Sequence, residues 1–128
     1  MPTLTLEERE STTDFFQPSN PQTGDPWLVI ERVLVDVGGN PVGSLTVRGT
    51  FMKADPPSDP LIAVNATHRL TGLPGHLGDI CAQGVFRYSD EPKIIAIIGG
   101  TDDFRNARGT LTIHSGAGTR TLVFDYLG

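Results

Sequence analysis

Cys81 is the only cysteine among 128 residues, and His68, His76 and His114 are the only histidines. A lone cysteine excludes an internal disulfide and points to a cytoplasmic setting. Cys81 itself reads as a small, buried apolar residue. The three histidines have no partner at ligand spacing, so no metal site is expected. Basic residues are scarce: 10 Lys and Arg stand against 15 Asp and Glu, for a net charge of −5. That balance argues against a nucleic-acid or anionic-membrane partner, both of which call for a basic footprint. No apolar run approaches the roughly 18 residues of a membrane span. The opening residues have neither the basic nor the apolar region of a secretory signal. There is no nucleophile elbow, P-loop or dinucleotide fingerprint. Gly99-Gly100 followed by Thr101-Asp102-Asp103 lacks the required glycine spacing, and its two acids would repel phosphate.

What the chain does contain is punctuation. Fifteen Gly and ten Pro separate short apolar runs in a chain that is 38% hydrophobic. This composition favours an all-β domain, and the length suits one domain spanning residues 1–128. Residues 27–36 are the clearest strand. Alternation places Trp27, Val29, Glu31, Val33 and Val35 on one face, and Leu28, Ile30, Arg32 and Leu34 on the other. The Gly38-Gly39-Asn40-Pro41 turn leads to a returning strand over 42–53. Residues 61–70 alternate again, with Ile62, Val64, Ala66, His68 and Leu70 on one side. Residues 79–88 set Ile80, Ala82, Gly84, Phe86 and Tyr88 together. Runs at 94–98 and 110–113 flank a polar corner, and a last strand puts Leu122, Phe124 and Tyr126 on one face.

These seven strands, at short and regular spacing, predict a sandwich or an up-and-down barrel. The N-terminal 25 residues are ambiguous. Leu4 and Leu6 share a face if residues 3–9 form a strand, whereas Thr5-Leu6-Glu7-Glu8 also has the form of a helix capping box. Phe15 and Phe16 lie in a polar stretch and are candidates for a lid over one end. An eighth strand over 3–9 would allow a barrel to close around one small ligand and remove exposed strand edges.

Several stretches resemble a known group of barrels. They are Gly24-Asp25 opening a strand, Asn40-Pro41-Val42-Gly43 in the first hairpin, Gly78-Asp79-Ile80 with Gln83-Gly84, and IIGGTDDFRNARG over residues 97–109. The chain is similar in these to the allene oxide cyclase and dirigent-protein barrels. The resemblance spans roughly residues 24–127. It implies an all-β fold, an eight-stranded antiparallel up-and-down β-barrel of the calycin type, with an apolar cavity and no cofactor. It also implies a homo-oligomer, dimer or trimer, and favours a strand over residues 3–9. Members guide ring closure or coupling of reactive, mostly apolar intermediates. Bacterial barrels of similar build act in polyketide antibiotic pathways, including [4+2] cyclisations of the Diels-Alderase type that make spirotetronates. Two departures bear on the chemistry. The nearest match to the Glu/Asn pair of the cyclase's first strand is Glu7 and Glu8, and Phe51 stands where the third strand carries a cysteine. The resemblance thus implies a cyclase barrel with a different lining.

Glu31 is the sequence's leading catalytic candidate, because alternation places its carboxyl mid-strand on a mainly apolar face. In an apolar pocket its pKa would rise, fitting it to donate a hydrogen bond or act as acid or base. Tyr88 and Tyr126 end apolar faces and are candidates to anchor a substrate oxygen. Trp27, Val29, Val33, Phe51, His68, Phe86 and Phe124 are expected to line the cavity, with Phe15 and Phe16 closing over it. Arg105 and Arg108 read as ties for the corner. A pericyclic ring closure suits such a lining, because a shaped cavity accelerates it by restricting a flexible apolar substrate.

Overall fold

The computed structural model describes residues 3–9, 15–116 and 118–128. Nine strands form one antiparallel sheet: β1 (Thr3–Arg9), β2 (Phe15–Phe16), β3 (Pro26–Val35), β4 (Pro41–Lys53), β5 (Leu61–Leu70), β6 (Gly78–Arg87), β7 (Lys93–Gly100), β8 (Arg108–Ser115) and β9 (Thr119–Leu127). From β3 to β9 each strand pairs with its neighbour in sequence, and β1 pairs with β9. The sheet closes where β1 also meets β3, with Glu7 opposite Val35 and Glu8 opposite Leu34. The result is an eight-stranded up-and-down barrel of calycin type. The two-residue β2 adds to the same edge of β3, Phe15 opposite Val29 and Phe16 opposite Leu28. Residues 3–9 are therefore a barrel strand and not a capped helix. Residues 1–2 and 10–14 of the expected lid segment lie outside the described residues.

Alternation explains the core. Leu6 on β1, Leu45 and Val47 on β4, Ile62 and Val64 on β5, Leu111 on β8, and Leu122 and Phe124 on β9 are all buried. Along these strands alternate residues thus point inward, as the pleat requires.

The corner after β7 closes one end of the barrel. A single 3₁₀ turn, Asp102–Phe104, carries Phe104 into the core at 1% exposure. The phenyl ring meets Tyr126 edge-on at 6.0 Å and stacks near His76 at 6.3 Å. Two glycines make room for this plug. A Cβ on Gly100 would lie 2.1 Å from the Asp79 carbonyl oxygen and 2.9 Å from the Phe104 Cβ. Gly78 has φ +125°, and a Cβ there would lie 2.5 Å from the Thr101 carbonyl oxygen. The Thr101 hydroxyl accepts the Asp79 backbone N–H, and the Asp103 carboxylate accepts that of Leu77.

Strand β3 breaks the expected alternation. Val29 faces Val47 and Arg32 faces Leu45, so three steps along β3 match two along β4. Ile30 and Glu31 form a β-bulge, with Glu31 at φ +49°. Both side chains of the bulge point outward and are exposed. The extra residue inverts the parity beyond it. Arg32 turns inward and is buried, while Val33 turns outward at 44% exposure. Two expectations are corrected here: Glu31 and Val33 lie on the outer wall, not in the cavity.

Candidate functional site: a barrel cavity and its vestibule

The barrel interior holds a narrow cavity of about 30 Å³, walled by Val29, Leu45, Val47, Val64, Ala66, Ile95, Leu111 and Leu122. Its polar side chains are Glu8, His68, Lys93 and Arg120. At the end opposite the Phe104 plug it adjoins a vestibule of about 330 Å³. Phe15, Gln17, Trp27, Phe86, Tyr88, Lys93, Ser115 and Arg120 form the vestibule. Trp27, Phe86, Lys93 and Arg120 line both spaces and so form the throat between them.

The throat is aromatic. Trp27 stands edge-on to Phe15 at 5.3 Å and to Phe86 at 6.1 Å. The Trp27 Nε1–H donates to the Tyr88 hydroxyl at 3.0 Å, and that hydroxyl donates to Gln17 Oε1 at 2.5 Å. This chain of bonds ties the segment after β2 across the mouth. Burial pushes the Tyr88 phenol up from its ordinary value, against a smaller lowering by the Trp27 bond, so it is a neutral hydroxyl. Lys93 Nζ donates to the carbonyl oxygens of Tyr88 at 3.1 Å and Asp90 at 3.0 Å, and stands 5.5 Å from the Phe86 ring centre. Burial first, and the positive charge of Arg120 second, push the Lys93 ammonium below its ordinary value.

Deeper in, the bulge delivers Arg32 to Glu8. The guanidinium Nη1 donates to Glu8 Oε2 at 2.5 Å, with 4% and 3% of the two side chains exposed. Arg120 reaches the same carboxylate oxygen at 3.7 Å. His68 is fully buried on the β5 wall, edge-on to Phe124 at 4.9 Å. Its Nδ1 lies 3.2 Å from the Ile80 carbonyl oxygen. A carbonyl only accepts, so Nδ1 carries the proton and Nε2 is an acceptor. Burial pushes the imidazole down to about 4, so it is neutral at pH 7. Among the described residues no cluster of three or more His, Cys, Asp or Glu is placed to hold a metal ion.

Of the residues singled out from sequence, Trp27, Val29, His68 and Phe86 line the cavity, and Phe15 and Tyr88 line the vestibule. Phe51 and Phe124 are fully buried in the core but do not border the cavity. Phe16 is 47% exposed and lies outside the vestibule lining. Tyr126 is buried beside the Phe104 plug, at the closed end, and does not share a site with Tyr88. The polar groups that do converge, Glu8, Arg32, Lys93 and Arg120, were not among the sequence candidates. Three carried a signal: Glu8 shares the parity of Leu4 and Leu6, Lys93 that of Ile95 and Ile97, and Arg120 that of Leu122 and Phe124. Arg32 carried none, because alternation alone does not reveal the bulge.

The fold places the chain among small calycin-type barrels that enclose an apolar cavity, and its build is dirigent-like. The sequence matches no family model and no curated protein. Its structure is similar to that of a pyocyanin demethylase, with 24% identity over 98% of this chain and 99% of that one, at a TM-score of 0.76. It is also similar to two pterocarpan synthase dirigent proteins. One shares 18% identity over 99% of this chain and 96% of its own, at a TM-score of 0.72. The other shares 16% identity over 98% and 82%, at 0.69. At such identities the likeness establishes the shared barrel. No helix of the described residues is long and apolar enough to cross a membrane.

Proposed function

We propose that this protein is a cofactor-free cyclase that folds a linear, polyene-type intermediate for intramolecular [4+2] ring closure in a natural-product pathway, most concretely a polyketide one. The observation that carries the reading is the throat. An apolar cavity meets a vestibule of ligand-pocket size, and cationic donors sit where the two join. A [4+2] closure converts three π bonds into two σ bonds and one π bond within one molecule, and needs no proton transfer or redox partner. The barrel's task is then to hold diene and dienophile in contact, which removes conformational entropy from the barrier. Arg120 or Lys93 would donate to a carbonyl conjugated with the dienophile and stabilise the charge that develops there. The apolar walls exclude water and strengthen that bond. The outer wall exposes Ile30, Val33, Val85 and Ile94, which fits the homo-oligomer that belongs to the same reading.

The test is to incubate the purified protein with a linear triene that cyclises slowly by itself, and to follow the ring product chromatographically. Acceleration that saturates with substrate supports the reading. An unaltered rate despite measurable binding would assign the protein to the non-catalytic carriers of apolar metabolites.

A further inference from the structure

We infer that Lys93 forms an acidic-oxygen subsite at the throat, so that the ligand is an amphipathic molecule with a carboxylate or enolate head and a conjugated or aromatic segment. This builds on the small-molecule reading of the cavity but not on ring closure.

Four observations carry it. Lys93 borders both the cavity and the vestibule, so any molecule passing between them meets its ammonium group. An ammonium has three N–H donors, and two are used on the carbonyls of Tyr88 and Asp90. Among the described residues no carboxylate lies within salt-bridge distance of Lys93, although Glu91, Asp90 and Asp59 act on its charge from further away, while Arg32 and Arg120 both reach Glu8 directly. The ammonium is also half-buried and rests beside the Phe86 ring, where a charged partner is bound more strongly than in open water. The two carbonyl bonds fix the position of Nζ before a ligand arrives, which limits the ordering cost of binding. The adjoining walls set the remaining chemistry. Trp27 and Phe86 offer aromatic faces and edges to a planar segment, and Val29 and Ile95 offer an apolar slot to its tip. The ligand therefore enters tail first and leaves its acidic head at Lys93.

Cis-parinaric acid, a linear fluorescent tetraene with a carboxylate head, and its uncharged methyl ester provide the probes. Titrated at pH 7.5 and low salt, the wild-type protein should bind the acid about tenfold more tightly than the ester. Lys93→Gln, which retains donors for the loop carbonyls, should bring the ratio below about threefold and leave ester affinity within about twofold. Lys93→Arg should restore much of the preference. Circular dichroism and thermal melts establish that each variant is folded. Equal binding of acid and ester by the wild type, no binding of either, or an unchanged ratio in folded Lys93→Gln would each overturn the inference. If the acid preference follows Lys93 but no triene is cyclised, the subsite stands and the cyclase reading falls.

Discussion

The Arg32 guanidinium meets the Glu8 carboxylate at 2.5 Å inside the barrel, across the seam where β3 pairs with β1. Closure of the cylinder is thus accompanied by a buried charge pair. Removing Glu8 takes the carboxylate from both Arg32 and Arg120, whereas removing Arg32 leaves Glu8 with its longer contact to Arg120 at 3.7 Å. Breaking a buried pair costs up to about 3–5 kcal/mol. Glu8→Met should lower the unfolding free energy by that order, and Arg32→Met by less, because Arg120 still reaches Glu8. The double variant, which removes both charges, should be more stable than either single one. Urea titrations of the four proteins check this, and a double variant less stable than both singles would contradict it.

Glu31 sits at the apex of the bulge with its carboxylate in solvent and its backbone at φ +49°. Glu31→Gln should leave ligand binding and any turnover unchanged and alter stability by less than about 0.5 kcal/mol. Glu31→Gly should stabilise the fold by about 0.5–1 kcal/mol, because glycine adopts the left-handed region without the Cβ clash. Thermal melts alongside a binding titration distinguish the two effects. A marked loss of binding in Glu31→Gln would return this residue to the site.

The contrast between Glu31 and Arg32 shows what the sequence holds and what it conceals. Seven barrel strands, their hairpins and the polar corner between β7 and β8 are legible because period-two alternation and Gly/Pro punctuation express local physics, whereas alternation leaves residues 3–9 open between a strand and a capped helix. Inward-facing Trp27, Val29, His68 and Phe86 follow from the same alternation. A bulge inserts one residue without any glycine or proline to mark it, and Arg32, Val33 and Leu34 beyond it change face. The partnership of Arg32 with Glu8 also joins residues 24 positions apart through ring closure of the sheet, which no local pattern reports. Tyr126 fails for a different reason. Its parity is inward as expected, but it lies at the plugged end, and parity does not say how far along the barrel axis a residue lies.

The bonds from Trp27 to Tyr88 and from Tyr88 to Gln17 hold the mouth segment in place. Tyr88→Phe removes both while keeping the ring. Water replaces the lost partners at this half-exposed site, so stability should fall by no more than about 1–2 kcal/mol. The release of Gln17 should instead appear in kinetics. Stopped-flow dissociation of a bound fluorescent polyene should be severalfold faster than in the wild type, and Trp27 emission should shift to the red as its indole N–H meets water. Unchanged dissociation would mean that these bonds do not restrain ligand escape.

His68 makes the fold sensitive to mild acid. Burial pushes its imidazole down to about 4, partly opposed by the bond to the Ile80 carbonyl, against an ordinary value of 6.5. As pH falls below 6.5 the unfolded chain binds a proton that the native barrel refuses, so the unfolded state is favoured. The stabilisation is fully present above pH 6.5 and is lost as pH falls towards 4. Between pH 7 and pH 5 the linkage amounts to about 2 kcal/mol. Asp36, Asp59 and Glu91 are held below their ordinary values by hydrogen bonds, from Asn40, Ser89 and Ser115 respectively, so their losses come only at lower pH, as they protonate. His68→Gln keeps a donor for the Ile80 carbonyl and cannot titrate. Urea midpoints of the wild type should therefore fall between pH 7 and pH 5, and those of His68→Gln should stay nearly level. Parallel slopes in the two proteins would show that the acid sensitivity arises elsewhere.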